Sequence, residues 1–412
     1  MAARVSTTDD ATEAGIDVEC DGASKTDYDA VVVGAGPAGT MTALELARRD
    51  LTVLIVERQP MPRWKVCGAC LSPGTLELLA QSGLPAPVDG ILLHRLRLSA
   101  WSAQACLPLS GSMAVSRYSF DQMLLAAARD VGVVAMTPAR ARLGPIDGGA
   151  RIVRIERAEG DLEVSARVVI DAGGLGGGLA PKEVGVGRRG GGLVSTDSGA
   201  NDVMPGSRIG VGAVFAPGAD GYASGEIHMV VGAGGYVGLV RVADGSLTVA
   251  AALDPAWLRE HASPGDAVCA LLDTAGSPRL PERPEVGWKG TRALTRSPRT
   301  RGAERVFAVG DAAGYVEPFT GEGISWALAG ARALAPLAAR ATQRWDLSLL
   351  HEWDRAHAQS MAQAQSLCRA VAWASRRPRL VLATLHLLAR LPGVASPFVR
   401  RAGSAPVHLS AR

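Results

Sequence analysis

Gly34, Gly36 and Gly39 form a Gly-x-Gly-x-x-Gly series, Glu57 stands 18 residues beyond the last of them, and Gly310 and Asp311 sit side by side about 250 residues later. Gly34 permits a tight turn, Gly36 lets the backbone approach a pyrophosphate, and Gly39 lets a following helix, opened by Pro37, Ala38 and Thr40, pack closely. A carboxylate at Glu57 would accept hydrogen bonds from a ribose 2′-hydroxyl and disfavour a 2′-phosphate. Gly310 permits close approach, and Asp311 can accept hydrogen bonds from polyol hydroxyls. The chemistry implied is the binding of a dinucleotide.

The elements that must position these residues are legible around them. Ala30 to Val33 is an apolar, β-branched run of the kind that forms a buried parallel strand. Met41 to Arg49 follows as a helix with its free N–H groups facing the anion. Thr52 to Val56 is a second strand ending at Glu57, and Val306 to Val309 is a strand leading to Gly310. Pro318 to Ile324, with Gly321, Glu322 and Gly323, opens a helix running to about Ala339, whose N-terminus would favour a reduced, anionic ring system.

These runs, with Arg58 after Glu57, Lys65-Val-Cys67-Gly68, Arg117-Tyr-Ser-Phe-Asp121 and Val169-Ile-Asp171-Ala172-Gly173, resemble the flavoprotein monooxygenase and geranylgeranyl reductase superfamily over about residues 27 to 340. The resemblance implies FAD as cofactor, with Arg117 near it and Asp311, beside Ala312, at its ribityl and phosphate region. Ala141 joins the residues expected to border the cofactor. The fold implied is α/β: a doubly wound, three-layer FAD-binding domain interleaved with an antiparallel-sheet substrate domain, plus C-terminal helices. The FAD unit would take residues 27–80, 112–180 and 298–340, with a helix from Asp121 to Asp130 and a strand pattern from Ala150 to Ile170. The substrate unit would take 81–111 and 181–297, and the helical region 341–412.

Lys65-Val-Cys67-Gly-Ala-Cys70 admits three readings: a loop that packs over and shapes the flavin, a reactive thiol, or a disulfide. Lys65 would lower the pKa of a nearby thiol if the two approach. Cys20, Cys106, Cys269 and Cys368 are scattered, so no zinc or other metal site is expected. Gly232-Ala-Gly234-Gly235-Tyr-Val-Gly238 imitates a glycine motif but opens no helix, so a turn is expected and a second dinucleotide domain is not.

Composition narrows the class. The chain has 412 residues, 47% hydrophobic and 20% charged, with a formal net charge of +3. That supports a large core and argues against nucleic acid as partner. Residues 1–26 read as a flexible extension with no signal peptide, and the compartment expected is cytoplasmic. Gly173 to Gly192 holds ten glycines and reads as a loop near the adenosine end. Half-buried strands are expected over Leu92 to Trp101, Ile209 to Phe215, Glu226 to Val231, Tyr236 to Val242 and Leu247 to Leu253, walling an apolar cavity. His228 is a candidate base there, and Tyr236 and Trp326 are candidate lining residues.

Leu347 to Ser375 and Leu380 to Leu391 read as helices, the second too short to span a bilayer. They cap the cavity or join a dimer, or else lie on an anionic membrane surface through Arg376, Arg377, Arg379, Arg400 and Arg401. The leading functional expectation is an NAD(P)H-dependent monooxygenase in which O₂ forms a flavin C4a-hydroperoxide that hydroxylates an aromatic, polyketide-like or other apolar substrate, with Cys67, Lys65, His228 and Tyr236 as candidate catalytic residues. A separate flavin reductase is a possible electron source, and a monomer or dimer is compatible. The alternatives are reduction of isoprenoid double bonds and a non-redox cyclase or isomerase. The Pro-x-x-Tyr-x-Trp element associated with the reductases has no counterpart, nor has the Trp-x-Trp-x-Ile-Pro pattern of flavin-dependent halogenases.

Overall fold

A computed structural model describes residues 26–176, 179, 203–298 and 301–395. The expectations for residues 1–25, for 180–192 of the glycine run, and for Arg400 and Arg401 lie outside the described residues.

The chain enters through β1 (Thr26–Val33), α1 (Pro37–Ala47) and β2 (Val53–Val56), where Ala30 to Val33 and all of β2 are buried. It leaves for β3 (Cys70–Leu71), α2 (Pro73–Gln81) and the hairpin β4 (Ile91–Ala100) and β5 (Ala103–Ala114). It returns through α3 (Arg117–Asp130), β6 (Val134–Met136), β7 (Arg140–Asp147), β8 (Ala150–Glu156) and β9 (Leu162–Asp171). A second excursion holds β10 (Ile209–Phe215), β11 (Glu226–Gly232), β12 (Gly235–Arg241), β13 (Leu247–Leu253), α4 (Pro255–Arg259), α5 (Pro264–Asp273) and β14 (Val286–Ala293). The last stretch is β15 (Gly302–Ala303), β16 (Val306–Ala308), α6 (Gly323–Gln343), α7 (Ser348–Ser375) and α8 (Pro378–Arg390).

Two eight-stranded sheets result. The first runs β15-β16-β9-β1-β2-β6, with the β7–β8 hairpin attached to β9. Its central pairings, β1 with β2 and β9, β2 with β6, and β16 with β9, are parallel. A parallel sheet needs cover on both faces, and its strands are apolar on both sides accordingly. Helices α1, α3, α6 and α7 cover one face around Met41, Leu44, Leu46, Phe120, Leu334 and Trp353. Each such side chain contributes about 1.5–3 kcal/mol by leaving water.

The second sheet runs β14-β10-β13-β12-β11-β4-β5-β3 and is antiparallel except where β11 meets β4. Helix α5 packs on one of its faces, and α8 stands over the other. The segment boundaries read from sequence shift here: Cys70 pairs with Ala114 and Leu71 with Met113, so β3 and the end of β5 belong to the second sheet, not to the cofactor unit. The run from Ala150 to Ile170 is two strands, β8 and β9, turning at Gly160 (φ +117°). Helix α3 starts at Arg117, ahead of Asp121, because Ser116 caps it by accepting from the Tyr118 N–H at 3.2 Å.

Candidate flavin and substrate site

Gly34 (φ +112°) lets the turn after β1 cross the chain leaving β9; a Cβ there would lie 2.5 Å from the Ala172 carbonyl oxygen. Asp171 shapes that crossing by accepting the Gly173 N–H at 2.9 Å. At Gly36 the nearest heavy atom to a Cβ position is the Arg63 guanidinium, 3.9 Å away, which leaves the N-terminus of α1 open. Its free N–H groups and dipole suit a phosphate, and the Thr40 hydroxyl is buried there with no hydrogen-bond partner among the described residues. At the end of β2 the Glu57 carboxylate accepts the Ala35 and Gln59 N–H groups, each at 2.9 Å, and pairs with Arg63 at 3.1 Å. Burial opposes its charge, but Arg63 and these N–H groups outweigh it and hold the carboxyl below the usual range. Arg58 is exposed beside Gly176. Ala141 is buried behind the sheet with Ala139, whose N–H bonds the Glu57 carbonyl at 2.7 Å. The glycine turn, the unpartnered Thr40 hydroxyl and the anionic Glu57 fit the adenosine diphosphate half of FAD.

A chain of ion pairs runs on from this end toward Cys67. Arg63 reaches Asp121 at 3.4 Å, and Asp121 holds Arg117 through two bonds of 2.8 and 2.7 Å. Arg117 also bonds Cys67; burial works against its charge, yet Asp121 and Cys67 raise its pKa above the ordinary value. Lys65 Nζ stands 3.9 Å from Asp311. Gly310 (φ +63°) lets the turn carrying Asp311 and Ala312 cross α1, since a Cβ there would come within 2.7 Å of the Ala38 Cβ. Pro318, Gly321, Gly323 and Ile324 border the same space at the mouth of α6.

Two expectations change here. Cys67 and Cys70 are both free thiols, so the disulfide reading is not what the loop adopts. The Cys70 thiol points back to the Gly68 carbonyl (3.1 Å), and burial pushes its pKa up to about 12. Glu322 does not border the cavity; its carboxyl is turned into the protein, Oε1 has no partner among the described residues, and burial pushes it up to about 8.

A cavity of ≈ 1440 Å³ runs from Gly36, Cys67, Arg117 and Asp311 across the second sheet to α8. Along β11, Ile227, Met229 and Val231 face it. Strand alternation therefore sends His228 to the opposite face, where it lies edge-on to Tyr222 at 5.1 Å and 3.6 Å from Glu226. Burial and Arg97 lower its pKa, and it is not placed to act as a base on a cavity ligand. Tyr236 does line the cavity, edge-on to Phe319 at 4.7 Å. Burial and the neighbouring Glu317 raise its hydroxyl well above the ordinary value. Trp326 sits in the helical core, edge-on to Tyr315 at 6.3 Å, rather than on the cavity wall.

Sequence reasoning missed the group behind Tyr236. Arg208, 0% exposed, pairs with Glu317 at 2.9 Å, Ser375 Oγ at 3.1 Å and Asp254 at 3.4 Å, with its guanidinium 5.6 Å from the Tyr236 ring centre. No local pattern announces a pair separated by 109 residues. Tyr315, another lining residue, did carry a signal: it follows Gly310-Asp311 by four residues.

Residues 27–207 match the family model described as an FAD binding domain. That match holds the glycine turn and Glu57. The chain carries an FAD binding domain. A menaquinone reductase of Mycobacterium tuberculosis is 35% identical over 154 residues, which are 35% of this chain and 37% of that protein. The similarity thus spans little more than a third of that relative. A digeranylgeranylglycerophospholipid reductase 2 of Methanopyrus kandleri is 28% identical over 341 residues, 78% of this chain and 79% of its own length. Among solved structures, a geranylgeranyl bacteriochlorophyll reductase-like protein from Thermoplasma acidophilum superposes with a TM-score of 0.72 at 16% identity, covering 92% of this chain and 94% of that one. At that identity the likeness establishes the fold alone. No helix among the described residues is long and apolar enough to cross a membrane.

Proposed function

We propose that this flavoprotein reduces carbon–carbon double bonds in a long isoprenoid chain, using electrons from NADH or NADPH. The observation that carries the reading is the character of the cavity wall away from the flavin end. Leu96, Leu98, Leu107, Ile227, Met229 and Leu239 are aliphatic, and the side opposite is closed by Leu385 and Leu388 of α8. Such a wall matches a branched hydrocarbon and offers few polar groups to orient a small aromatic ring. The names of the menaquinone and digeranylgeranylglycerophospholipid reductases support the same class of substrate.

FAD bound at the glycine turn supplies the two-electron step. The chain's own residues bind, orient and protonate. Saturating a double bond adds one hydrogen with its electron pair to one carbon and a proton to the other. Tyr236 Oη carries a proton at neutral pH, faces the cavity and is hydrogen-bonded to Glu317, so it is the donor we assign to the second carbon. Arg117, locked by Asp121, and Lys65 beside Asp311 would supply positive charge toward a bound flavin. The sheet and α8 wall this space with apolar side chains.

Hydroxylation is the second reading, and the buried hydroxyls of Tyr236 and Tyr315 favour it, since they could orient an oxygen-bearing group. One experiment separates the two. The purified protein is incubated with NADPH or NADH and a polyprenyl lipid, with and without oxygen, and the product is weighed by mass spectrometry. Gain of two hydrogens per turnover without oxygen supports reduction; gain of one oxygen atom, lost under anaerobic conditions, overturns it in favour of hydroxylation. Product of unchanged mass but altered retention would point to the non-redox cyclase.

A further inference from the structure

We infer that the end of α7, α8 and the turn after it form a docking face for an anionic lipid bilayer, through which an apolar substrate passes directly into the cavity. The inference rests on the substrate class proposed above for what passes through, but not for the docking itself.

The first observation is charge. From Arg355 to the C-terminus at Arg412 the sequence holds nine arginines and no Asp, Glu or Lys, although the whole chain carries only +3. Two acids beside the end of α7, Asp254 and Glu317, are already engaged: Arg376 meets Asp254 at 2.7 Å, and Arg208 meets Glu317 at 2.9 Å. Arg377 lies over the Trp373 ring at 3.4 Å, while Arg379 and Arg390 are exposed on α8.

The second is exposure. Within 22 residues, Trp373 (55%), Leu380 (40%), Leu387 (47%), Leu391 (56%) and Val394 (56%) stand open to solvent. Leu385 is the one residue of α8 that is buried. A helix with this pairing of exposed leucines and arginines, and too short to span, lies in the plane of a bilayer surface.

The third is continuity. Leu380, Leu387 and Val394 are exposed and also line the cavity, so the cavity opens within this face. Leu385 and Leu388 continue inward from them toward the second sheet. A hydrocarbon chain leaving the bilayer would meet apolar surface all the way to Tyr236 and never cross water. A second copy of the chain is the poorer occupant, because two arginine-rich faces without acids repel one another, whereas anionic headgroups neutralise them.

The test uses the full-length flavoprotein and sedimentation with sealed vesicles of phosphatidylcholine alone or with one part in three phosphatidylglycerol. The expected result is co-sedimentation with the anionic vesicles, at least tenfold weaker on neutral ones or in high salt. Trp373→Ser with Leu391→Ser, and separately Arg379→Glu with Arg390→Glu, should each weaken binding about tenfold or more; none of these four residues lines the cavity. Both variants should keep wild-type flavin absorbance and wild-type turnover of a short, water-soluble prenyl substrate, and lose turnover only of a long-chain substrate embedded in vesicles. Absence of binding to either vesicle, or variants that bind like wild type, overturns the docking face. Variants that dissociate an oligomer while vesicle binding persists overturn it in favour of a second copy. Product mass, measured on the soluble substrate, judges the proposed reaction independently of any of these outcomes.

Discussion

Replacing Arg208 by Met should destabilise the protein strongly, and in a way that depends on pH. Arg208 is wholly buried, and its guanidinium is the closest partner of Glu317, itself 2% exposed. Among the described residues the other cation paired with Glu317 is Arg376 at 3.9 Å, which is already bound to Asp254 and the Gly206 carbonyl. Removing one member of a buried pair leaves an uncompensated charge and costs about 3–5 kcal/mol. Burial already raises the Glu317 pKa above its ordinary 4.5 against the pull of Arg208, and without Arg208 it should rise further. A folded-state pKa above the unfolded value means that the native protein takes up a proton as pH falls, so the penalty is largest above the raised pKa and shrinks toward the unfolded value near 4.5. Thermal unfolding followed by flavin fluorescence should show a fall in Tm of about 4–6 °C at pH 8, and a clearly smaller one at pH 5, each relative to wild type at the same pH. Adding Glu317→Leu to Arg208→Met should recover most of the loss, because the stranded charge is then gone. A single variant that melts within about 2 °C of wild type at pH 8, or a penalty identical at the two pH values, would refute the account of this pair.

Other outcomes follow from the same geometry. Glu57→Gln should weaken retention of FAD on the order of tenfold to a hundredfold, the worth of a charge-assisted hydrogen bond, as measured by flavin release on gel filtration. In the wild type that retention should persist to below pH 4.5, since Arg63 and two N–H groups keep the carboxylate ionised. Gly310→Val meets a φ of +63° and the Ala38 Cβ at 2.7 Å, so the purified protein should be colourless or nearly so. His357 is buried with its pKa pushed down to about 3 by burial and by Arg301. The unfolded chain therefore binds a proton below about pH 6.5 that the folded one refuses, costing about 2 kcal/mol by pH 5, and His357→Gln should flatten the fall of Tm between pH 6.5 and 5. Cys67→Ser should lower turnover more than flavin content; unchanged steady-state kinetics would remove any chemical role for a thiol that touches Arg117.

The cofactor half of the site could be read from the chain because its determinants are local. Gly34, Gly36 and Gly39 act within one turn, and Glu57 is placed by the strand that ends on it. The same holds for Gly310, whose positive φ is a property of one residue in one turn. The strands Ile209 to Phe215 and Leu247 to Leu253 likewise appear with the bounds their alternation implies. Where the reading slipped, the cause was also physical: Cys70 and Leu71 look like part of the cofactor unit until Met113 and Ala114 pair with them from the far end of a hairpin.

The substrate half depended on tertiary structure. Alternation along β11 says that His228 and Met229 face opposite ways, but not which of them faces in; the register of β11 against β4 and β12, with α5 packed behind, decides that Met229 meets the cavity and His228 meets Tyr222. The Arg208–Glu317 pair joins residues 109 apart, and its strength comes from exclusion of water, which no single segment supplies. The sequence by itself determined the glycine turn, the helix N-terminus and the acid at the end of β2, which agree with an FAD binding domain, since backbone conformation and a helix N-terminus are local properties. Which side chains wall the remaining space, and where that space opens, was decided only when two sheets and α8 closed around it, because burial is shared among distant parts of the chain.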